Sequence, residues 1–163
     1  MIAYLTKNTD ADQFIQAALR DYTGTDQDFV IKMRPTGKPY IEGGPCFSFS
    51  DSHGYFLCVV SDHEVGADIE FRRSAEKYMD VARRFFAPDE RDAATADNFF
   101  EIYTAKGAYV KFTEMGIFSG MEHFSTMSGR VGNVYITRFS DGDCICAAAS
   151  EKEREVEIKW ILS

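Results

Sequence analysis

No CxxC pair, no long apolar run and no excess of positive charge occur in these 163 residues, which also hold one tryptophan and three histidines. Each shortage removes a class of protein. Without CxxC spacing, Cys46, Cys58, Cys144 and Cys146 do not read as a zinc or disulfide framework. They lie in apolar or strand-like stretches and are expected to be buried, reduced thiols. No apolar run approaches the roughly 20 residues of a membrane-spanning helix, so no membrane segment is expected. The opening MIAYLTKNTDADQ turns polar too soon for a secretory signal, and a cytoplasmic protein is expected. A net charge of -8 argues against a general nucleic-acid binder. His53, His63 and His123 lack metal-ligand spacing, and TGKP lacks the spacing of a P-loop.

What is present is core-forming material. The chain is 45% hydrophobic with 14 Phe and 8 Tyr, enough for one domain or two small lobes sharing a core. Residues 2–6 read as a strand. Asp10, with Gln13 three residues on, reads as the start of a helix with Phe14, Ile15, Ala18, Leu19 and Tyr22 on its apolar face. Alternation over Phe29–Arg34 predicts a strand, and RPTGKPYIEGGP a loop or broken hairpin. CFSFS, GYFLCVVS and EVGADIE predict three more strands. Ala75 to Phe86 reads as an amphipathic helix ended by Pro88, and Asp97 as the cap of a helix reaching about Thr113. NVYITRF, DCICAAAS and EVEIKWIL return to strands. The order predicts an α+β protein, antiparallel sheets covered by a few helices, in a single domain over residues 1–163.

Two features carry chemistry. In EVGADIE, Val65, Ala67 and Ile69 alternate with Glu64, Gly66, Asp68 and Glu70. Asp68 and Glu70 therefore share a strand face about 7 Å apart, where two carboxylates repel unless a cation intervenes. A hard divalent ion needs only one or two carboxylates when phosphates and water complete its shell. The bland alternative is a wet, charged outer face. The second feature is Lys106, set inside the apolar stripe of Phe99, Ile102, Tyr103, Tyr109 and Val110. It reads either as a snorkelling lysine or as one reaching into a cleft.

Taken together, GKPYIEGGPCFSFSDSHGYFLCVVSDHEVGADIE, RRFFAPDE and IYTAKGAYVKFTEMGI resemble the 4'-phosphopantetheinyl transferase superfamily, in its Sfp-type branch. The resemblance implies a pseudo-two-fold fold of two similar small lobes, approximately residues 1–62 and 63–163. It implies transfer of the phosphopantetheine arm of coenzyme A to a serine of an acyl or peptidyl carrier protein, by a Mg2+-dependent monomer. It implies Asp68 and Glu70 as metal ligands and Asp68 and Lys111 as catalytic. It further implies that Arg34, Lys38, Pro39, Ser50, Asp51, His53, Lys106 and Lys111 hold coenzyme A, with Ser50 in a phosphate-touching turn. Two positions depart from the family pattern. Gly107 stands where a Glu is usual, and Asp51 where a His is usual. They imply weak transfer, or a non-catalytic homologue that binds coenzyme A or a carrier without turnover. Restoring the carboxylate by Gly107→Glu is expected to raise metal affinity or activity.

Overall fold

The strands and helices follow from where apolar residues fall and where the backbone can be capped. The computed structural model describes residues 1–116 and 118–162. Ile117, the last residue of the resembling stretch, and Ser163 lie outside them. Strand β1 (Ile2–Lys7) leads into helix α1 (Ala11–Thr23). The Asp10 carboxylate accepts the Gln13 backbone N–H at 3.0 Å, as its position before the apolar stripe implied. Gly24 closes the helix in the left-handed region, at φ 72°.

The strand predicted over Phe29–Arg34 shrinks to β2 (Lys32–Met33), which pairs with β3 (Pro39–Tyr40) in a short hairpin. Phe29 and Ile31 do pack against the core beneath α1, but only Lys32 and Met33 find a strand partner, and Val30 and Met33 are 76% and 63% exposed. Phe29 instead donates its backbone N–H to Gln16 Oε1, and its carbonyl oxygen accepts from Gln16 Nε2. The three following strands appear as β4 (Cys46–Ser52), β5 (Tyr55–Ser61) and β6 (Gly66–Phe71). His53 and Gly54 join β4 to β5 with φ of 51° and 80°, the doubly left-handed turn that matches strand twist.

The helix expected over 75–86 starts as a 3₁₀ turn at Glu76–Tyr78 and continues as α2 (Met79–Phe85). Pro88 does not merely stop it. Its missing N–H suits a first helical position, and it opens α3 (Pro88–Ala93). Helix α4 (Phe99–Thr113) begins after Asn98, not Asp97. A 3₁₀ turn at Met121–His123 precedes β7 (Arg130–Val131), β8 (Val134–Asp141), β9 (Cys144–Ser150) and β10 (Glu157–Trp160).

The architecture is α+β. One sheet has the order β10-β1-β5-β4 and the other β6-β9-β8-β7. All pairs are antiparallel except β1 with β10, which run parallel. The C-terminal strand thus lies in the same sheet as the N-terminal one. The sheets face each other across Ala3, Leu5, Leu57 and Val59 on one side and Ala67, Ile69, Cys146 and Ala148 on the other. Helix α1 covers the outer face of the first sheet through Phe14, Ile15, Ala18 and Leu19. Helix α4 covers the second through Ala105 and Ala108. Gly66 permits that approach: a Cβ there would fall 2.9 Å from Phe112 Cα and closer still to the Ala108 carbonyl oxygen. Cys58, Cys144 and Cys146 are buried free thiols, with burial pushing Cys144 up to about 11. No helix among the described residues is long and apolar enough to cross a membrane.

Candidate active site

Where the two sheets meet, the edge strands β4 and β6 lie side by side without a backbone ladder between them. An unpaired edge leaves N–H groups to be satisfied. Alternate serines of CFSFSDS do this. Ser48 Oγ accepts the Ala67 N–H at 3.0 Å, and Ser52 Oγ accepts the Phe71 N–H at 3.1 Å. Between and beside these bonds, Ser50 donates to Asp68 Oδ1 at 2.7 Å and Ser52 to Glu70 Oε2 at 3.0 Å. The serine row therefore both closes the seam and aims the two carboxylates. Ser50 was expected in a phosphate-touching turn. It is instead buried within β4, because its register faces Asp68.

The face carrying Asp68 is not a wet outer face. Helix α4 lies over it, and Asp68 is only 9% exposed. Burial pushes its carboxyl above the ordinary range, with Lys111 and Ser50 pulling back the other way. Lys111 Nζ stands 3.3 Å from Asp68 Oδ1 and 3.3 Å from the Phe49 carbonyl oxygen. A cavity of about 120 Å³ opens beside them, lined among others by Asp51, Asp68, Glu70, Tyr103, Gly107 and Lys111. Burial, then the nearby Asp68 and Glu70 charges, hold the Tyr103 phenol up. A second cavity of about 360 Å³ shares Val110 and Lys111 with the first and is lined by Lys38, Pro39, Ser48, Phe49 and Glu114. A larger hollow of about 710 Å³ beside α1 is bordered by Arg20 and Asp28, which pair with each other, and holds no buried carboxylate.

The structure thus brings Asp68, Glu70, Asp51 and Lys111 to one crevice, with Lys38 and Pro39 on the adjoining one. Other expected residues lie elsewhere. Lys106 neither snorkels nor reaches this crevice. It is fully buried on the far side of α4, where its ammonium meets Glu90 at 2.5 Å and the Phe124 carbonyl at 2.6 Å. Arg34 bridges Glu64 at 2.9 Å and Glu114 at 2.7 Å, and so is committed to a clasp. Lys38 shares that clasp through Glu64 at 2.6 Å and the Val65 carbonyl at 2.8 Å. Burial raises Glu64, but hydrogen bonds from Lys38 and Arg34 outweigh it and hold the carboxyl below its usual range. His53 sits at the hairpin tip, stacked on Phe71 with ring centroids 5.6 Å apart. The signal overlooked in the sequence is the serine alternation itself, which marks Ser48 and Ser52 as readily as Ser50.

Gly107 lies against the acidic pair. A Cβ at 107 would fall 2.8 Å from Asp68 Cγ and closer still to Oδ2. The Asp68 carboxylate therefore leans into room that any other residue at 107 would fill. Among the described residues no group of three or more His, Cys, Asp or Glu is arranged to hold a metal ion by itself. The protein offers two carboxylates, with Asp68 Oδ2 and Glu70 Oε1 lacking hydrogen-bond partners among the described residues. Two hard oxygens with open positions beside them fit Mg2+, which keeps several waters and accepts phosphate oxygens.

Comparison with known proteins identifies the family. The model of the 4'-phosphopantetheinyl transferase superfamily matches residues 64–160, the stretch holding Asp68, Glu70 and Lys111. A 4'-phosphopantetheinyl transferase of Bacillus subtilis is 28% identical over 135 residues, covering 77% of this chain and 59% of the relative. The 4'-phosphopantetheinyl transferase HetI of a Nostoc species is 30% identical over 117 residues, 63% of this chain and 49% of the relative. The 4'-phosphopantetheinyl transferase Sfp of Bacillus subtilis is 26% identical over 127 residues, 72% of this chain and 55% of the relative. The chain spans about half the length of these curated relatives. With the family match covering more than half of its residues, this chain belongs to the 4'-phosphopantetheinyl transferase superfamily.

Proposed function

We propose that the chain transfers the 4'-phosphopantetheine arm of coenzyme A to a serine of an acyl or peptidyl carrier protein, with Mg2+. The observation that supports this most is the convergence of Asp68, Glu70 and Lys111 on one small cavity. In the reaction, the serine oxygen bonds to the phosphorus that carries the pantetheine arm. The bond from that phosphorus to the bridging oxygen breaks, and adenosine 3',5'-bisphosphate leaves. Such a transfer asks for positioning and charge neutralisation more than covalent help. Bound Mg2+ would neutralise the pyrophosphate, held by Asp68 and Glu70. Lys111 moves from Asp68 to the pyrophosphate and steadies the leaving charge. Lys38 and Pro39 border the adenine and 3'-phosphate end in the adjoining cavity. No side chain at 107 takes the serine proton, so it passes to solvent. In this reading the chain acts as a cytoplasmic monomer whose partners are coenzyme A and the carrier, with neither nucleic acid nor membrane involved.

Gly107 and Asp51 favour a second reading, a homologue that binds coenzyme A or a carrier without turnover. Incubation with coenzyme A, Mg2+ and an apo carrier, followed by mass spectrometry of the carrier, separates the two. The expected result is a gain of one phosphopantetheine. No gain across several carriers at saturation would leave only the second reading.

The expectation that Gly107→Glu raises metal affinity is reversed by the room available. A side chain at 107 must push the Asp68 carboxylate away from Ser50 and Lys111. Gly107→Ala and Gly107→Glu are each expected to weaken Mg2+ binding by about ten- to a hundredfold, as losing an orienting partner does. Calorimetric titration checks this. Unchanged affinity in Gly107→Ala would mean that Asp68 turns aside at no cost.

A further inference from the structure

Both carboxylates of the acidic pair are gripped by the same device. A β4 serine and a cation share one oxygen, and the other oxygen has no partner among the described residues. For Asp68 the shared oxygen is Oδ1, with Ser50 at 2.7 Å and Lys111 at 3.3 Å. For Glu70 it is Oε2, with Ser52 at 3.0 Å and Arg73 Nη1 at 3.0 Å. Lys111 has a role in the proposed reaction; Arg73 has none.

Arg73 is placed with care for a residue just beyond the strand end. Its Nη1 also donates to the Phe71 carbonyl at 2.8 Å. Its guanidinium lies 4.1 Å from the Phe100 ring centroid and 5.4 Å from that of Tyr78. Its Nε is buried without a hydrogen-bond partner. An unpaired buried N–H is unfavourable, so this placement is held by the aromatic face and by Glu70.

We infer that Arg73 is the built-in counter-ion of Glu70, a positioning residue that sets how tightly the acidic pair takes a divalent cation. This rests on the reading of Asp68 and Glu70 as metal ligands. Without an ion, two carboxylates on one strand face repel, and Arg73 and Lys111 offset that repulsion. When a divalent ion enters, the fixed charge of Arg73 opposes it while Ser52 still holds Oε2. Arg73 thereby keeps Glu70 in place and binding loose. Loose binding suits a site where the ion arrives with a pyrophosphate and must leave with the product.

The test is titration with Mn2+ alone, reading the free ion by electron paramagnetic resonance, with a thermal melt of each variant. Arg73→Met keeps an apolar stem against Phe100 and is expected to bind Mn2+ about tenfold tighter. That is the effect of one charge a few ångströms from a divalent ion under near-aqueous screening. Arg73→Lys restores the charge and is expected to bind like wild type. Should Arg73→Met lose its melting transition, Arg73→Gln carries the same expectation of tighter binding. Equal or weaker binding in the neutral variants, with Asp68→Asn losing binding, overturns the role of Arg73 and leaves the metal reading standing. Binding that survives in Asp68→Asn, or a wild type that takes up no Mn2+, overturns the metal reading and the inference with it.

Discussion

Asp68→Asn is expected to abolish divalent-metal binding and to slow carrier modification on the order of a thousandfold, without loss of heat stability. A metal contributes several kcal/mol of charge stabilisation to such a transfer, and each 1.36 kcal/mol is a factor of ten in rate. The amide keeps the shape of the carboxylate and can still accept the Ser50 hydroxyl. What it loses is the charge, which is the costly part of the site. Asp68 is buried under α4, and that burial disfavours its charged form. A neutral replacement relieves the cost, and Lys111, whose side chain is 31% exposed, finds water instead. The combination separates function from folding, since sites that need buried charge sacrifice stability for it. Calorimetry, carrier mass gain against time and a thermal melt read the three quantities. Retained metal binding, or a collapse of the melt, would remove Asp68 from the proposed role.

Breaking the other buried pair should have the opposite signature. Glu90→Ala is expected to cost about 3–5 kcal/mol of stability, the range for a buried ion left without its partner. Glu90 Oε1 accepts Lys106 Nζ at 2.5 Å and the Ala87 N–H at 3.0 Å. Its Oε2 accepts the Thr126 N–H at 2.9 Å and the Thr126 hydroxyl at 2.7 Å. One carboxylate thus ties α3, α4 and the segment after the 3₁₀ turn at Met121–His123. Lys106 is also fully buried, packed 4.0 Å from the Phe124 ring centroid, and burial lowers its affinity for a proton despite Glu90. Removing both charges together, as Glu90→Leu with Lys106→Met, is expected to regain most of the loss, because desolvation of an ion pair absorbs much of what the pair contributes. Urea unfolding measures both. A cost below about 1 kcal/mol for Glu90→Ala would mean that water reaches the pair.

These two sites differ in how openly the sequence displays them. Asp68 and Glu70 stand two apart in a strand whose other face is apolar, and period-two reasoning places them correctly. Lys111 is singled out by the family resemblance alone. Lys106 was visible as an oddity in its stripe, yet its partner was not. Glu90 sits 16 residues away in PDERDAATAD, whose composition reads as a polar connection with room for one helical turn, and nothing in it marks that glutamate as buried. Only the fold shows that α3 presses that glutamate inward. Pro88 misleads for a related reason, since a residue that cannot continue one helix is well suited to start the next. The Phe29–Arg34 alternation finds Phe29 and Ile31 against the core, but a period of two does not say whether a neighbouring strand is there to pair with. Asp51 and Gly107 were legible as departures from a pattern, but their consequence depends on a clearance of a few ångströms that no spacing rule contains.

The parallel pairing of β1 with β10 sets a timetable for how this protein comes into being. Ile2 lies opposite Glu157, so β1 waits for a partner made much later in synthesis. At ribosomal speeds of roughly 5–20 residues per second, that interval is on the order of ten seconds or more. Once β5 is made, β1 holds it on one side and presents bare amides and carbonyls on the other. A nascent chain in that condition invites pairing with any extended neighbour. Crowded synthesis should therefore punish this protein at β1, on the side of its sheet away from the crevice at β4.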